Sequence, residues 1–170
     1  MLPVFVGTVP GRENWLAQCL RSLGQKPATI VYGQSWELGA IRWIYENTQF
    51  ERWLFIHDSM VIKNHKLFDI LEQYNGSVAL SACPVPFGMY TGVFSRKTLS
   101  IVGMPDVNNK EEAICCEVYW ANQYCKAEQV PVLFPGFNDH SARGNIKSLF
   151  GRPNLVLENE YLIKYKGTWR

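Results

Sequence analysis

Charged residues are scarce in this sequence, and it contains no apolar run of membrane-spanning length. Asp, Glu, Lys and Arg make up 19% of the 170 residues, whereas 47% are hydrophobic. No apolar stretch approaches the roughly 20 residues of a transmembrane helix, which predicts a protein without a membrane span. The opening MLPVFVGTVPGREN has neither a basic leader nor a small-residue cleavage pattern, so we expect no secretory signal and a cytoplasmic location.

Cysteines with the spacing of a metal site are also absent. The five cysteines are an odd number, Cys115 and Cys116 are adjacent, and their separation from Cys125 fits no common zinc pattern. The sequence therefore predicts buried free thiols in a reducing cytosol rather than a zinc module or a disulfide scaffold.

The charge is unevenly distributed along the chain. Residues 1–140 contain 11 Lys or Arg against 13 Asp or Glu, whereas residues 141–170 contain 6 against 2. A basic C-terminal segment favours either an anionic partner or a plainly solvated tail. Its aromatic residues, interleaved with Lys164 and Lys166, suit nucleic acid, a strand or helix that contributes a lysine to bound phosphates, or a docked amphipathic end.

Hydrophobic periodicity predicts an alternation of strands and helices in the first half of the chain. We expect strands near residues 2–9, 28–33, 53–62 and 77–82, and helices near 14–23, 37–47 and 65–74. The order βαβαβαβ predicts a mostly parallel sheet with helices on its faces. Further on, we expect a strand at 89–95 and helices at 96–102 and 110–125. The chain contains no repeat or linker, which indicates a single domain.

The run WLFIHDSMVI at residues 53–62 combines a buried strand with an acidic group. Its apolar start, 53–56, leads directly to His57, Asp58 and Ser59. Ligand sites of open α/β sheets lie outside the carboxyl ends of the strands. An aspartate at this position is therefore typical of a site for a metal, a phosphate or a ribose.

Four segments in this order resemble the GT-A fold glycosyltransferases of the family-2-like kind. They are VGTVPGRENWLAQCLRSL, WELGAIRWIYENTQFERWLFIHDS, GMYTGVFSRKTLSIVG and EEAICCE. The resemblance implies a single, Rossmann-like GT-A domain. It implies a nucleotide-sugar-binding half at residues 1–82, an acceptor-side half at 83–140 and a short basic extension at 141–170.

The resemblance implies transfer of a sugar from a nucleotide-sugar donor to an acceptor hydroxyl, with inversion and a carboxylate base. The chain is short, which favours an open acceptor pocket for a macromolecule such as DNA or a protein, or a site completed in a homo-oligomer. Two alternatives remain open: a non-catalytic nucleotide-sugar-binding module, and a nucleotidyltransferase acting on a sugar phosphate.

The resemblance also implies where the donor binds. The candidate nucleotide-sugar residues are Thr8, Pro10, Arg12, Tyr32, Gly33, Arg42, Asp58 and Ser59. The family motif is usually Asp-X-Asp or Asp-Asp, with the last acid on a divalent metal, but here it is His57-Asp58-Ser59. The expected cofactor is Mn²⁺ or Mg²⁺, held by Asp58 and His140, with one carboxylate where the family motif has two.

Three glutamates are candidates for the catalytic base. We expect Glu112 to have this role, followed by Glu111 and then Glu117. Glu112 and Glu117 are about 140° apart around a helix, so only one of them is expected to point into the site. On the acceptor or sugar side, the resemblance indicates Met89, Tyr90 and Gly92.

Overall fold

A five-stranded central sheet and a smaller three-stranded sheet organise the chain. The computed structural model describes residues 1–33, 36–81, 91–137 and 155–166. The strands are β1 (Val4–Thr8), β2 (Ala28–Tyr32), β3 (Arg52–His57), β4 (Met60–Ile62), β5 (Val78–Ala79), β6 (Gly92–Ser95), β7 (Leu155–Glu158) and β8 (Leu162–Lys166). The helices are α1 (Glu13–Ser22), α2 (Trp36–Asn47), α3 (Lys66–Glu72), α4 (Arg96–Val102) and α5 (Lys110–Glu128). Within these ranges, no helix combines the length and the hydropathy needed to cross a bilayer.

The central sheet has the strand order β2-β1-β3-β6-β5. β1 pairs in parallel with β2 and β3, whereas β6 is antiparallel to both β3 and β5. Four of the five strands therefore point in the same direction. The prediction of a mostly parallel sheet flanked by helices is confirmed.

The predicted strand at residues 53–62 is wrong as a single element. The structure divides it into β3 and β4, which belong to different sheets. β3 follows β1 as far as the pair Gly7 and His57, and the Asp58 amide donates to the Gly7 carbonyl at 3.0 Å. The chain then turns, and β4 pairs antiparallel with β8. The acidic motif therefore lies at the junction of the two sheets.

Alternating side chains of β3 pack into cores on opposite faces of the central sheet. Trp53 and Phe55 lie in one core with residues of α2, α4 and α5. Leu54 and Ile56 lie in the other core with residues of α1 and α3. Because side chains of a strand alternate between faces, His57 continues the first series and Asp58 the second.

The second sheet joins the C-terminal segment to the acidic motif. Its strand order is β4-β8-β7, and the Tyr165 amide of β8 donates to the Ser59 carbonyl at 2.9 Å. The interpretation of the tail as a docked end is therefore confirmed for Leu162–Lys166, which form a strand.

Among the described residues, Cys19, Cys115, Cys116 and Cys125 are thiols that form no disulfide, as the sequence predicted. The expectation that all of them are buried is wrong, because Cys115 is exposed on α5. A single helix presents residues to solvent as well as to the core, and hydropathy alone does not assign one cysteine to either face.

Candidate functional site

The carboxyl ends of β1, β2 and β3 meet at one edge of the central sheet. β1 ends at Thr8, β2 at Tyr32 and β3 at His57, immediately before Asp58. The parallel pairing of β1 with both neighbours brings these three ends together. This edge is where open α/β sheets place their ligands.

Asp58 is the centre of a buried polar network at this edge. Only 4% of its surface is exposed. The Arg12 guanidinium donates through Nε to Asp58 Oδ2 at 2.7 Å and through Nη2 to Oδ1 at 2.8 Å. The Thr8 hydroxyl donates to Oδ2 at 2.7 Å. A two-pronged arginine contact of this kind fixes the orientation of both side chains.

The Trp15 ring of α1 supports Arg12, and the Tyr165 ring of β8 packs against Trp15. The guanidinium carbon lies 5.9 Å from the centroid of the Trp15 ring, within the range of a cation–π contact. The Trp15 ring in turn packs against Tyr165, with ring centroids 5.2 Å apart. The C-terminal strand therefore helps to hold Arg12 in place.

A buried lysine lies beside the second residue of the motif. Lys164 of β8 is 6% exposed, and its ammonium donates to the Ser59 hydroxyl at 2.7 Å. Burial lowers the pKa of Lys164 to about 8, and the negative charges of Glu37 and Asp58 oppose that shift. The ammonium is therefore still mostly charged at neutral pH.

Glu37 lies close to the first residue of the motif, and Glu117 interacts electrostatically with Glu37. His57 Nδ1 is 3.3 Å from a carboxylate oxygen of Glu37, in the first turn of α2. Burial raises the pKa of Glu37, with the Lys164 ammonium opposing the shift. Burial also raises the pKa of Glu117 to about 7, and the negative charge of Glu37 raises it further. A carboxylate with this pKa exchanges protons near neutral pH.

The other residues predicted to bind the nucleotide differ in exposure and in the partners they contact. Tyr32 is 61% exposed at the end of β2, and the Gly33 amide donates to the Thr8 carbonyl at 3.1 Å. Pro10 is exposed in the loop between β1 and α1. Arg42 pairs instead with Glu46 at 2.8 Å and with Asp106 at 2.7 Å.

Glu111 and Glu112 lie exposed in the first turn of α5. The Asn109 side chain accepts from the Glu112 amide at 3.0 Å, and the Glu112 carboxylate accepts from the Asn108 amide at 2.8 Å. This reciprocal arrangement caps the helix. Glu112 therefore has a structural role at the helix start, whereas Glu117 is half-buried and electrostatically coupled to Glu37.

Gly92 lies in β6, opposite Phe55 of β3. Its φ of 151° falls in a region that glycine adopts more readily than other residues. Met89, Tyr90 and His140 lie outside the described residues.

The donor set at Asp58 does not fit the divalent metal that the resemblance implies. Both carboxylate oxygens accept hydrogen bonds from Arg12, and one also accepts from Thr8. Ser59 supplies only a hydroxyl, which accepts from Lys164. In the part of the chain that the structure describes, no group of three His, Cys, Asp or Glu side chains could hold a metal ion.

Glu37 was not among the site residues predicted from the sequence, and Lys164 was predicted only as part of the basic C-terminal segment. Glu37 follows β2 along the chain, and this position after the end of a strand could have indicated a site residue. Lys164 is 105 residues from its partner Ser59, and no local pattern links them.

A comparison with protein-family models and with curated proteins finds no match to this chain.

Proposed function

We propose that this protein is a glycosyltransferase that uses a nucleotide-sugar donor bound at the carboxyl edge of the central sheet. The observation that carries the proposal is the one sheet edge that holds Thr8, Arg12, Tyr32 and Asp58. Glu117 is linked to this edge through Glu37, whose carboxylate lies 3.3 Å from His57 and raises the pKa of Glu117. A strand order with one antiparallel strand and a second small sheet after the acidic motif is compatible with the GT-A assignment.

The nucleotide is proposed to lie across the ends of β1 and β2. The exposed Tyr32 ring offers a stacking surface for a base, because aromatic rings stack on all nucleobases. Thr8 and Arg12 lie on the loop side of the same edge, and Asp58 fixes Arg12 in position. The diphosphate then lies near Arg12 and Lys164, the two cations of this network.

The proposed chemistry is a direct displacement at the anomeric carbon. Glu117 accepts the proton of the acceptor hydroxyl while the acceptor oxygen forms a bond to the anomeric carbon. The bond from that carbon to the diphosphate oxygen breaks, and the nucleoside diphosphate leaves with the electron pair. The positive charges of Arg12 and Lys164 stabilise the charge that develops on the leaving group. Glu117 replaces Glu112 as our choice of base, since Glu112 is occupied by helix capping.

A non-catalytic nucleotide-sugar-binding module is the second candidate function. The observation that favours it is that both Asp58 oxygens accept hydrogen bonds from Arg12, and one also accepts from Thr8. It predicts saturable binding of a nucleotide sugar without release of nucleoside diphosphate.

The acceptor in the glycosyltransferase proposal is a hydroxyl of a small molecule or of a macromolecule such as DNA or a protein.

The pH dependence of nucleotide-sugar consumption tests the proposal. The group with a pKa of about 7, Glu117, must be deprotonated to act as a base, so kcat/KM is expected to rise through that pH. The group with a pKa of about 8, Lys164, must be protonated to face a diphosphate, so kcat/KM falls above that pH. Among the described residues, the charged or titratable groups that act on the pKa of these two side chains include Glu37, Asp58, Arg12 and Cys19.

The measurement is the release of nucleoside diphosphate from a nucleotide sugar between pH 5 and pH 10. The proposal predicts a bell-shaped profile with its maximum between the two pKa values. Repeating the profile with Glu117→Gln removes the rising limb if Glu117 is the base. Saturable binding with no release at any pH would instead favour the binding module.

A further inference from the structure

The protein itself supplies positive charge where the acidic motif of the resembled family holds a metal. Arg12 contacts both oxygens of Asp58, and Lys164 contacts the hydroxyl of Ser59. A metal ion at Asp58 would compete with a guanidinium held by two hydrogen bonds and supported by the Trp15 ring. Carboxylate oxygens already directed at an arginine are poor ligands for a hard divalent ion.

Two cations lie at the acidic motif. Arg12 pairs with Asp58, and Lys164 contacts Ser59 and feels the carboxylates of Glu37 and Asp58. Two fixed cations can therefore provide the electrostatic environment that a bound metal would provide.

Both cations retain hydrogen-bond donors for a ligand. A guanidinium has five N–H donors, and among the described residues Arg12 uses Nε and Nη2 on Asp58. An ammonium has three donors, and Lys164 gives one of them to Ser59. Each side chain therefore has N–H donors beyond those it gives to its protein partner, and these are the donors proposed for a phosphate oxygen.

We propose that the site binds the diphosphate of its donor without a divalent metal, through Lys164 and Arg12. This inference rests on the proposed function, and it assigns to Lys164 a direct contact with the diphosphate. Arg12 contacts the same group while remaining attached to Asp58.

Calorimetric titration of the full chain with nucleoside diphosphates tests the inference. Uridine, guanosine, cytidine, adenosine and thymidine diphosphates are titrated in EDTA, in Mg²⁺ and in Mn²⁺. For the diphosphate that binds most tightly, the Kd in EDTA is expected to lie within about twofold of the Kd in either metal. Lys164→Met is expected to weaken binding in EDTA by about ten- to a hundredfold, the loss typical of a hydrogen bond to a charged group.

Lys63→Met is the matched control, because Lys63 is a lysine near the same small sheet that pairs with Glu158 on the surface. This variant is expected to bind within about twofold of the unmodified protein. A Kd that improves by about tenfold or more with Mn²⁺ would overturn the inference and leave the proposed function standing. Unchanged binding by Lys164→Met would also overturn it. The absence of binding by every diphosphate in all three conditions would contradict the proposed function itself.

Discussion

Replacing Glu117 by Gln is expected to lower kcat for nucleoside diphosphate release by about 10²–10⁴-fold, the usual contribution of a positioned general base. Glutamine has a similar shape but cannot accept the proton of the attacking hydroxyl. The burial that raises the pKa of Glu117 affects the ionised form, so the neutral amide is tolerated at the same position. The Kd for the nucleoside diphosphate is expected to stay within about threefold, because the proposal assigns Glu117 to the acceptor rather than to the donor.

Glu111→Gln and Glu112→Gln are the controls for this measurement. Both residues lie on the same helix, and both are exposed. Their kcat values are expected to stay within about threefold of the unmodified protein. A large loss in Glu112→Gln with full activity in Glu117→Gln would restore the original choice of base and contradict the assignment to Glu117.

Replacing Asp58 by Ala is expected to lower the free energy of unfolding by about 2–4 kcal/mol at pH 7. Removal of one partner of a fully buried ion pair costs about 3–5 kcal/mol, because the remaining charge is left without compensation. Arg12 is 20% exposed, so solvent reduces that cost. The Thr8 hydroxyl also loses its acceptor in this variant. Urea unfolding of the two proteins measures the difference.

The surface pair between Arg42 and Asp106 provides the comparison for this prediction. Its N–O distance is 2.7 Å, the same as the Arg12–Asp58 distance, but the Asp106 side chain is 80% exposed. Asp106→Ala is therefore expected to cost no more than about 1 kcal/mol. Equal losses in the two variants would mean that the Asp58 network contributes no more to stability than an exposed ion pair.

Local patterns predicted the central sheet because each of its parallel strands is a separate apolar run. The alternation of strands and helices fixed the order β1, α1, β2, α2 and β3, and the parallel connections followed from that order. The position of Asp58 after β3 placed it at the carboxyl edge without any knowledge of side-chain contacts. Periodicity alone therefore predicted the parallel part of the central sheet and the place of Asp58 at its edge.

The break between β3 and β4 could not be predicted in this way. Residues 53–62 are apolar on both sides of the motif, and a continuous buried strand has the same pattern. The second strand forms because Met60–Ile62 pair with Leu162–Lys166, about a hundred residues later in the chain. Pairing over that distance leaves no mark in a local window, and it is also what brings Lys164 to Ser59.

The choice among the glutamates of α5 also needed the structure. The spacing of Glu112 and Glu117 places them on different faces of α5, but it does not show which face is directed at the sheet. Asn109 settles the position of Glu112, because its side chain caps the helix together with that residue. The carboxylate of Glu37, which acts on Glu117, comes from a different helix.

The most direct test of a nucleotide-sugar site at this sheet edge is a thermal-shift panel of nucleotide sugars, each measured in EDTA and in Mn²⁺. A ligand at about 100 times its Kd stabilises the native state by about 2.7 kcal/mol. For a chain of this length, that corresponds to an increase in Tm of roughly 5–10 °C. We predict an increase of this size with at least one nucleotide sugar, equal in EDTA and Mn²⁺, and a smaller one with the matching sugar phosphate. A panel in which no nucleotide sugar raises Tm by more than about 1 °C would contradict the account.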